Sequence, residues 1–486
     1  MDLAITLDNH AGLPLHRQLY TELRHAILQG RLPPRQRLPS TRALAKSLGI
    51  SRTTVTQSYD QLLSEGYLQT VVGAGTFVCD QLPDYLLSSQ PVELAQPTTC
   101  SAIPLSHYGA SLATLDRSGL REPEAPISFR YGRPALNEFP LQLWRKLLSR
   151  HCRTTNWLGY ATDPLGHPPL REAIAHYLAR ARAVDCDASQ VMIVNGAQQA
   201  LYLITRLLIN PGEAIALEDP GYPSARQIFQ SQEATLVPIA VDEAGLMVQD
   251  LANYPNTSIK LAYITPSHQF PTGAVLSLPR RLELLAWAQQ HEALILEDDY
   301  DSEYRYDARP IPSLQGLDQS HSVLYMGTFS KMLFPALRIG YLVLPPHLVP
   351  TFTYARRLSD RQSSLLEQHV LTDFIQDGHL ERHTRRMRTH YDRRRQVLVK
   401  ALKTHLGTRA TILGENAGIH LMVRLHTNLS DTEISQRAAK VGLGVVSAQP
   451  HYLGSHRAGE FILGYAELTE NQIQTGIYKL AQVLQA

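Results

Sequence analysis

The chain has 486 residues, of which 44% are hydrophobic and 19% charged, and its formal net charge is +2. This composition is that of a globular protein and excludes a disordered chain, and the length predicts more than one domain. We expect a cytoplasmic protein without a membrane partner, because no apolar run approaches the roughly 20 residues of a membrane helix and the first residues lack the features of a signal peptide. The 4 cysteines form no CxxC pair, so we predict reduced thiols and no metal site.

The first part of the chain predicts three helices followed by a β-hairpin. Leucine or isoleucine recurs at every fourth position over residues 15–27, which is the pattern of an amphipathic helix. Ser40 and Ser51 are suitable N-caps for a second and a third helix. Two β-rich runs around glycines in residues 66–78 predict the hairpin.

Two helices joined by a glycine-containing turn, the second one capped, are the pattern of a helix-turn-helix. The third helix begins with Arg52 and Thr53, and a recognition helix presents its N-terminal residues to base edges in the major groove. The alternative is a three-helix scaffold without a DNA role, in which the arginines are only solvated charges.

The motifs at residues 37–42, 48–52 and 66–78 carry a resemblance to the GntR-type winged helix, which extends over residues 10–79. The resemblance implies a double-stranded DNA operator as the partner. It also implies DNA contacts from Arg42, Ser51, Arg52, Thr53 and Gly73.

Residues 80–125 differ in composition from the segments on either side, since Pro, Ser, Thr, Gln and Ala dominate them. We predict a partly extended linker there. From residue 126 to 486, short apolar runs alternate with helical segments. The runs that predict strands are residues 191–194, 214–217, 261–264, 294–296 and 323–326. Such runs are typical of a mostly parallel sheet covered on both faces, which binds its ligands at the carboxyl ends of the strands.

The loops after these strands carry the candidate ligand-binding residues. The glycine turn at 195–198 offers backbone N–H groups and a helix N-terminus to a phosphate, although many strand–helix turns contain glycine for structural reasons alone. Tyr222 stands on a Pro-Gly turn, where an aromatic ring can stack on a flat heterocycle. Lys331 follows small hydroxyl residues and precedes Arg338, a pattern typical of a lysine that forms a Schiff base beside a phosphate. The acidic run 297–303 lacks the histidines and the spacing of a metal site.

The loops at 265–273, 297–306 and 327–331 resemble those of the MocR/GabR family of regulators, which join a GntR-type winged helix to an aminotransferase class I domain. The resemblance covers nearly the whole chain. It implies an α/β fold with an N-terminal winged helix-turn-helix, a linker and an aminotransferase fold type I domain, which has a mostly parallel sheet and a smaller α+β C-terminal lobe. It also implies pyridoxal 5'-phosphate (PLP) as the cofactor and a homodimer.

The same resemblance implies a role for individual residues. Lys331 would bind PLP covalently, as the catalytic residue does in related enzymes, and Asp298 would pair with the pyridine nitrogen. Tyr300 would hydrogen-bond the phenolic oxygen, and Tyr222 would stack on the ring. The residues implied for the phosphate are Gly196, Ala197, Gln198, Thr328, Ser330 and Arg338, together with Tyr160 from the neighbouring subunit. The alternative role of Tyr160 is that of a core or helix-capping residue.

The sequence departs from the enzymes of this fold near the cofactor. Phe270 stands where those enzymes usually carry an asparagine, and we therefore take His268 and Gln269 as candidate cofactor-binding residues.

A second departure concerns the substrate. Ile462 stands where an arginine that clamps the substrate carboxylate is expected, and Arg424 and Arg457 are the nearest replacements. The GABA-sensing member of the family uses a further arginine where this chain has Ser224. Because a carboxylate buried without a cation is costly, we expect neither GABA as the effector nor efficient transamination.

Residues 382–395 are strongly basic. They form either a second DNA-contacting surface or, as we favour, the solvated face of a helix that connects two lobes.

The sequence is compatible with three functions. The favoured one is a transcriptional regulator that senses an amine, an amino acid or PLP through its aminotransferase-like domain and is not an enzyme in its main role. The second is an active aminotransferase with a DNA-binding appendage. The third is a DNA-binding protein whose second domain is only a dimerisation scaffold, which the retention of Lys331, Asp298 and Arg338 disfavours.

Overall fold

The computed structural model describes residues 7–8, 12–82, 103–114, 125–160, 163–254, 257–306 and 311–485. It divides the chain into two compact units, Met1–Pro104 and Leu105–Ala486. The boundary between the units lies inside the segment predicted as a linker.

The first unit has the predicted three helices and hairpin. The elements are α1 (Leu15–Leu28), α2 (Thr41–Leu48), α3 (Arg52–Ser64), β1 (Leu68–Val71) and β2 (Gly75–Val78). Both predicted N-caps are present, since the hydroxyl of Ser40 accepts a hydrogen bond from the N–H of Ala43 and that of Ser51 from the N–H of Thr54. The apolar stripe of α1 packs with leucines of α2 and α3 into one buried core. The winged helix-turn-helix prediction is confirmed.

An eight-stranded sheet forms the centre of the second unit. Its strands are β4 (Val191–Val194), β5 (Ala214–Asp219), β6 (Thr235–Asp242), β7 (Gly245–Leu246), β8 (Ile259–Ile264), β9 (Leu294–Asp299), β10 (Val323–Thr328) and β11 (Gly340–Val343). The order across the sheet is β4-β11-β10-β9-β8-β5-β6-β7. Neighbours from β10 to β6 run parallel, whereas β11 is antiparallel to both β10 and β4. The mostly parallel sheet is therefore confirmed, with two antiparallel strands, β11 and β7, that the apolar runs did not predict.

Helices cover this sheet and lead into the small lobe. They are α4 (His107–Thr114), α5 (Leu141–His151), α6 (Pro168–Arg182), α7 (Ala197–Leu208), α8 (Pro223–Ser231), α9 (Leu278–Gln290), α10 (Val349–Ser359), α11 (Leu365–Gln376) and α12 (His379–His405). Helix α4 lies within the predicted linker and packs on α8, where the Ser111 hydroxyl donates to the carbonyl of Ser231 over 3.0 Å. This part of the linker is thus a docked helix, a contact between distant residues that composition could not predict.

The small C-terminal lobe is α+β, as expected. Its four-stranded sheet has the order β12-β13-β16-β15 and is antiparallel. The remaining elements are β3 (Ile127–Ser128), β12 (Ala410–Leu413), β13 (His420–Leu425), α13 (Asp431–Lys440), β14 (Leu443–Gly444), β15 (Val446–Ser447), β16 (Glu460–Gly464) and α14 (Glu470–Val483). Among the residues that the structure describes, no helix is long and apolar enough to cross a membrane.

Candidate functional site

The candidate site lies at the carboxyl ends of adjacent parallel strands. Strands β8, β9 and β10 are neighbours in the sheet, so the loops that follow them meet at the same edge. The buried strand residues align them in register, with Met326 of β10 opposite Asp298 of β9. This topology brings the acidic run, the 265–273 loop and Lys331 together.

Lys331 follows β10 and is half-buried. Its Nζ donates a hydrogen bond to the carbonyl of Gly132 over 2.7 Å. A Cβ on Gly132 would lie only 3.0 Å from that Nζ, so the chain around residue 132 closely covers the amine. The glycine and polar residues of this segment carry no signal of their own in the sequence, so it was not predicted as part of the site.

Asp298 lies next to the lysine at the end of β9. Its carboxylate accepts a hydrogen bond from the Tyr263 hydroxyl over 2.7 Å. Burial raises the pKa of Asp298 to about 7, against the opposing effects of that hydrogen bond and of the Lys331 charge. A buried carboxylate with a raised pKa is a good partner for a ring nitrogen that carries a proton, because the pair would share the proton and neutralise each other.

The turn predicted to bind a phosphate lies between β4 and α7. Gly196 has φ +79 and is the N-cap of α7, whose first N–H groups are free of intrahelical partners. A Cβ on Gly196 would lie 2.9 Å from Nη2 of Arg338. Arg338 itself donates to the carbonyl of Asn195 over 2.7 Å, which fixes its guanidinium beside the turn.

Two more of the predicted phosphate residues are Thr328, the last residue of β10, and Ser330, which follows the strand. The Thr328 hydroxyl donates to that of Ser330 over 3.0 Å and accepts from the Ser330 N–H. On the other side, the Gln198 amide donates to the hydroxyl of Tyr222 over 3.2 Å. Thr328 thus contacts Ser330, and Gln198 contacts Tyr222.

Aromatic rings line the neighbouring part of the site. Phe270 stands edge-on to both Tyr222 and Tyr300, with ring centroids 5.8 and 5.9 Å away and interplanar angles of 88°. Tyr131, which precedes Gly132, lies 5.2 Å from Phe270. The residue that replaces the expected asparagine therefore contributes an apolar surface and no hydrogen bond from its side chain.

The side chain of Gln269 is fully engaged within the loop structure. Its amide donates to the carbonyl of Pro220 over 2.8 Å and to Glu218, while its oxygen accepts from Thr272. Glu218 is buried, which raises its pKa to about 7 despite hydrogen bonds from Thr265 and Gln269. Gln269 thus joins two loops, and its polar atoms point to protein partners.

His268 has a different environment. Its Nδ1 lies 2.9 Å from Oδ1 of Asp301 and 3.0 Å from the Tyr300 hydroxyl, and its buried Nε2 has no partner among the described residues. His420 lies nearby, and the potential ligand atoms of His268, Asp301 and His420 are within 4.8 Å of one another. That spacing would suit a metal ion, but the direct hydrogen bond already pairs His268 with Asp301. The absence of a metal remains a prediction.

The other carboxylates of the acidic run have structural partners. Glu297 accepts from the N–H groups of Leu314 and Gln315, each over 2.9 Å. Asp299 forms a buried ion pair of 2.6 Å with Arg182. The carboxylates of residues 297–303 therefore bind different partners and do not act as one group.

The predicted substrate-carboxylate position is apolar. Ile462 of β16 is fully buried and packs in a cluster with Phe270, Met422 and Ala448. Arg424, one of the two possible replacements, forms an ion pair of 2.8 Å with Glu460, and Arg457 is exposed.

The loop after β5 is tied to the small lobe. Asp219 accepts from the N–H groups of Leu453 and Gly454 over 2.7 and 3.0 Å. Arg226 of α8 donates to the carbonyls of Tyr452 and Pro450, each over 3.0 Å. The turn that carries Tyr222 is thus bound directly to residues 450–454.

Tyr160 is not part of this cluster within one chain. Its side chain is 78% exposed, and the Arg361 guanidinium lies 4.6 Å from its ring centroid. An exposed aromatic ring is available for a second subunit, and it is not the core residue of the alternative interpretation.

The basic segment 382–395 is part of the long helix α12. Arg386 and Arg394 donate to the carbonyls of Glu138 and Ala466, and Arg388 donates to that of Glu303 over 2.8 Å. Arg395 pairs with Asp392 over 2.7 Å. These four arginines therefore contact other groups of the second unit and are not simply solvated. The choice between the two interpretations of the segment stays a prediction.

The candidate DNA-binding residues lie on the surface of the first unit. Arg42, Ser51, Arg52, Thr53 and Gly73 are all exposed. The Arg52 Nε lies 3.4 Å from the hydroxyl of Thr41, which precedes Arg42, so α2 and the start of α3 present their arginines near each other. Arg37, which belongs to the 37–42 motif but was not among the implied DNA contacts, lies against Gly75 at the wing.

A winged helix with an exposed recognition helix, in one chain with an aminotransferase fold, defines a DNA-binding protein with an aminotransferase-like domain. Comparison with protein families agrees with this class. The family of bacterial regulatory proteins, gntR family, matches residues 15–78, and aminotransferase class I and II, a PLP-binding family, matches residues 132–480.

Relatives that match over nearly their whole length define the family more closely. The chain is 40% identical to the probable rhizopine catabolism regulatory protein MocR of Rhizobium meliloti, over 98% of this chain and 95% of the relative. It is 30% identical to the pyridoxine biosynthesis transcriptional regulator PdxR of Corynebacterium glutamicum, over 97% and 96%. The chain belongs to the MocR-type transcriptional regulators, which combine a GntR-type DNA-binding domain with an aminotransferase-like domain.

Solved structures resemble the second unit. A multiple substrate aminotransferase from Thermococcus profundus superposes with a TM-score of 0.72 at 27% identity, over 78% of this chain and 97% of that chain. A kynurenine aminotransferase from Pyrococcus horikoshii has a TM-score of 0.70 at 27% identity, over 82% and 98%. The aminotransferase fold type I prediction is confirmed.

Proposed function

We propose that this regulator binds PLP at Lys331 and senses an amine, an amino acid or PLP itself through its aminotransferase-like unit. The observation that carries the proposal is the convergence of Lys331, Asp298 and the Gly196–Arg338 turn at one edge of the sheet. These groups are the three that PLP requires: an amine, an acid for the ring nitrogen and an anion site for the phosphate.

The residues present fit the cofactor. When bound, PLP supplies an electron-withdrawing ring that stabilises negative charge at a carbon next to the bound amine. Asp298 would hold the proton at the pyridine nitrogen, and Tyr222 would stack on the ring. Backbone N–H groups at the start of α7 and the guanidinium of Arg338 would bind the phosphate. We infer that Tyr160 completes the site of a second subunit in a homodimer, which its exposure supports.

A sensing role needs a ligand that binds two states with different affinity. The contacts of Asp219 and Arg226 with residues 450–454 place the small lobe directly beside the Tyr222 turn. A ligand that moves this turn would therefore act on the lobe contacts. The apolar surroundings of Ile462 and the pairing of Arg424 support sensing over turnover of amino acids.

An active aminotransferase is the second candidate, because Lys331 and Asp298 are both retained. One experiment separates the two functions. The PLP-loaded full chain is titrated with amines and amino acids, while its visible absorbance and its affinity for a labelled operator are followed in parallel. If the protein is a sensor, one compound should change the visible absorbance band permanently and also shift the affinity for the operator.

The enzyme predicts instead that the band converts to the amine form of the cofactor while a keto product is released. Lys331→Ala is the matched control, since it should lose the visible band and keep the far-UV circular dichroism. A wild-type chain that shows no visible band after PLP is added would contradict both functions. The remaining interpretation would then be that the second unit is only a dimerisation scaffold.

A further inference from the structure

His268, Asp301 and Tyr300 form a buried hydrogen-bonded set beside the cofactor-binding residues. Both oxygens of Asp301 lie within 3.1 Å of His268 Nδ1, and the two side chains are 1% and 0% exposed. A buried carboxylate needs a donor, and Nδ1 is placed to serve both oxygens. The Nδ1 atom therefore carries the proton, and the ring is oriented through this atom, since Nε2 has no partner among the described residues.

The backbone of the small lobe fixes the histidine ring from one side. A Cβ on Gly418, which has φ +76, would lie 2.0 Å from Cε1 of His268. The Gly418 peptide is itself held, because its N–H donates to the carbonyl of Tyr304 over 2.7 Å and its carbonyl accepts from the hydroxyls of Tyr306 and Tyr465. Only glycine at position 418 permits this approach, and the ring has little freedom to turn.

The protonated Nδ1 determines the direction of the hydrogen bond at Tyr300. Because the proton on Nδ1 is directed to Asp301, this nitrogen has no lone pair for the Tyr300 hydroxyl 3.0 Å away, so the hydroxyl proton points elsewhere. Burial first, and then the charge of Asp301, raise the pKa of Tyr300 well above its usual value, so the hydroxyl keeps that proton. A tyrosine that keeps its proton and cannot donate to the histidine can donate to another acceptor.

We propose that Asp301 and His268 are positioning residues that hold the Tyr300 hydroxyl as a donor toward the phenolic oxygen of bound PLP. The inference rests on the proposed function, since it needs PLP at Lys331. Phe270 offers no side-chain donor where related enzymes have an asparagine, so Tyr300 becomes the donor on which this oxygen depends. His268, Asp301 and Tyr300 would together stabilise the deprotonated, negatively charged form of this oxygen. They would thereby lower the pH at which the bound cofactor loses its proton.

The test is a pH titration of the visible band of the PLP-loaded full chain. Tyr300→Phe removes the donor, and Asp301→Asn keeps the shape of the side chain but removes its charge. Each should raise the midpoint of the titration by about one pH unit, a tenfold change in the proton equilibrium. The double variant should show no larger shift than Tyr300→Phe alone, because Asp301 acts through the hydroxyl.

Additive shifts in the double variant, or an unshifted midpoint in Asp301→Asn, would overturn the proposal. Asp298, Glu218 and Asp299 also act on Tyr300, and His420 lies 5.1 Å from the His268 ring. All of these are present in every variant, so they do not produce the differences.

A second pair of variants covers the case in which Asp301→Asn does not fold. His268→Asn can place an amide N–H near the position of Nδ1 and should retain the wild-type midpoint, whereas His268→Leu should shift it. Equal midpoints in these two variants would contradict the inference. A wild-type chain without any visible band would instead refute the proposed function itself, so the two failures are distinguishable.

Discussion

Replacing Gly196 with alanine tests the anion-binding turn directly. The new methyl group would lie 2.9 to 3.1 Å from three atoms of the Arg338 guanidinium, so the arginine would have to move away from the turn. Gly196 also has φ +79 and ψ 175, a conformation that L side chains rarely adopt and that costs about 1–3 kcal/mol. The change therefore perturbs both the turn and its cationic partner.

The expected loss of PLP affinity follows from the arginine. A hydrogen bond to a charged group contributes about 1.5–3 kcal/mol, and each 1.4 kcal/mol is a factor of about ten in affinity. Gly196→Ala should thus weaken PLP binding by about tenfold to a hundredfold. The assay is a titration of the apoprotein with PLP, followed by the visible band and by thermal unfolding.

Gly212→Ala is the matched control. Gly212 also has a positive φ, +85, but a Cβ there would meet nothing within 4 Å. Both variants should lose thermal stability through backbone strain, and only Gly196→Ala should lose PLP affinity. If the two variants bound PLP equally well, the turn would not be the phosphate site.

Three further predictions concern DNA binding, assembly and pH. Arg52→Ala should weaken operator binding by roughly 1–3 kcal/mol if the guanidinium reads a base, whereas Arg52→Lys should retain affinity if only a phosphate is contacted; fluorescence anisotropy at several salt concentrations measures both. Because Tyr160 is exposed and implied at a neighbouring site, sedimentation should show a dimer, and a monomer at micromolar concentration would be incompatible with shared sites. Burial raises the pKa of Glu218 from its usual 4.5 to about 7, so the folded apoprotein binds this proton more tightly and the free energy of unfolding should fall between these pH values by about 1 kcal/mol per pH unit. Glu218→Gln should remove that part of the slope in denaturant titrations at several pH values, and an unchanged slope would assign it to other groups.

The sequence predicted the elements whose signals are local. Serine caps and the spacing of leucines gave the helices of the first unit, and apolar runs gave the five strands that carry the site loops. Strand β11 was not predicted because Gly340–Val343 directly follows the motif that contains Lys331 and Arg338. Its antiparallel direction depends on pairing with both β10 and β4. Helix α4 was not predicted because it is short, has no buried residue and is stabilised by its contact with α8.

Site residues could be predicted where each acts through its own chemistry. Lys331 and Arg338 were predicted from the motif around them and Asp298 from the family resemblance, and their roles toward the cofactor stay predictions. Contacts between distant segments were not, because nothing in the sequence links Gly132 to Lys331 or Gly418 to His268. Such close approaches depend on the backbone of one lobe meeting a side chain of the other.

The two halves of the candidate site therefore support different conclusions. The half proposed to bind the cofactor has an amine, an acid and a candidate anion site, and each contacts a neighbouring group that holds it in place. In the other half, Ile462 is buried among apolar side chains, and Arg424 is already neutralised by Glu460. Binding an α-carboxylate there would break an ion pair or bury an unpaired charge, and either costs several kcal/mol. In the titration proposed above, an amine without a carboxylate should consequently act at lower concentration than the amino acid that shares its side chain. The reverse order would require a cation that reaches the ligand from elsewhere, and Arg424→Ala would then test whether that cation is Arg424.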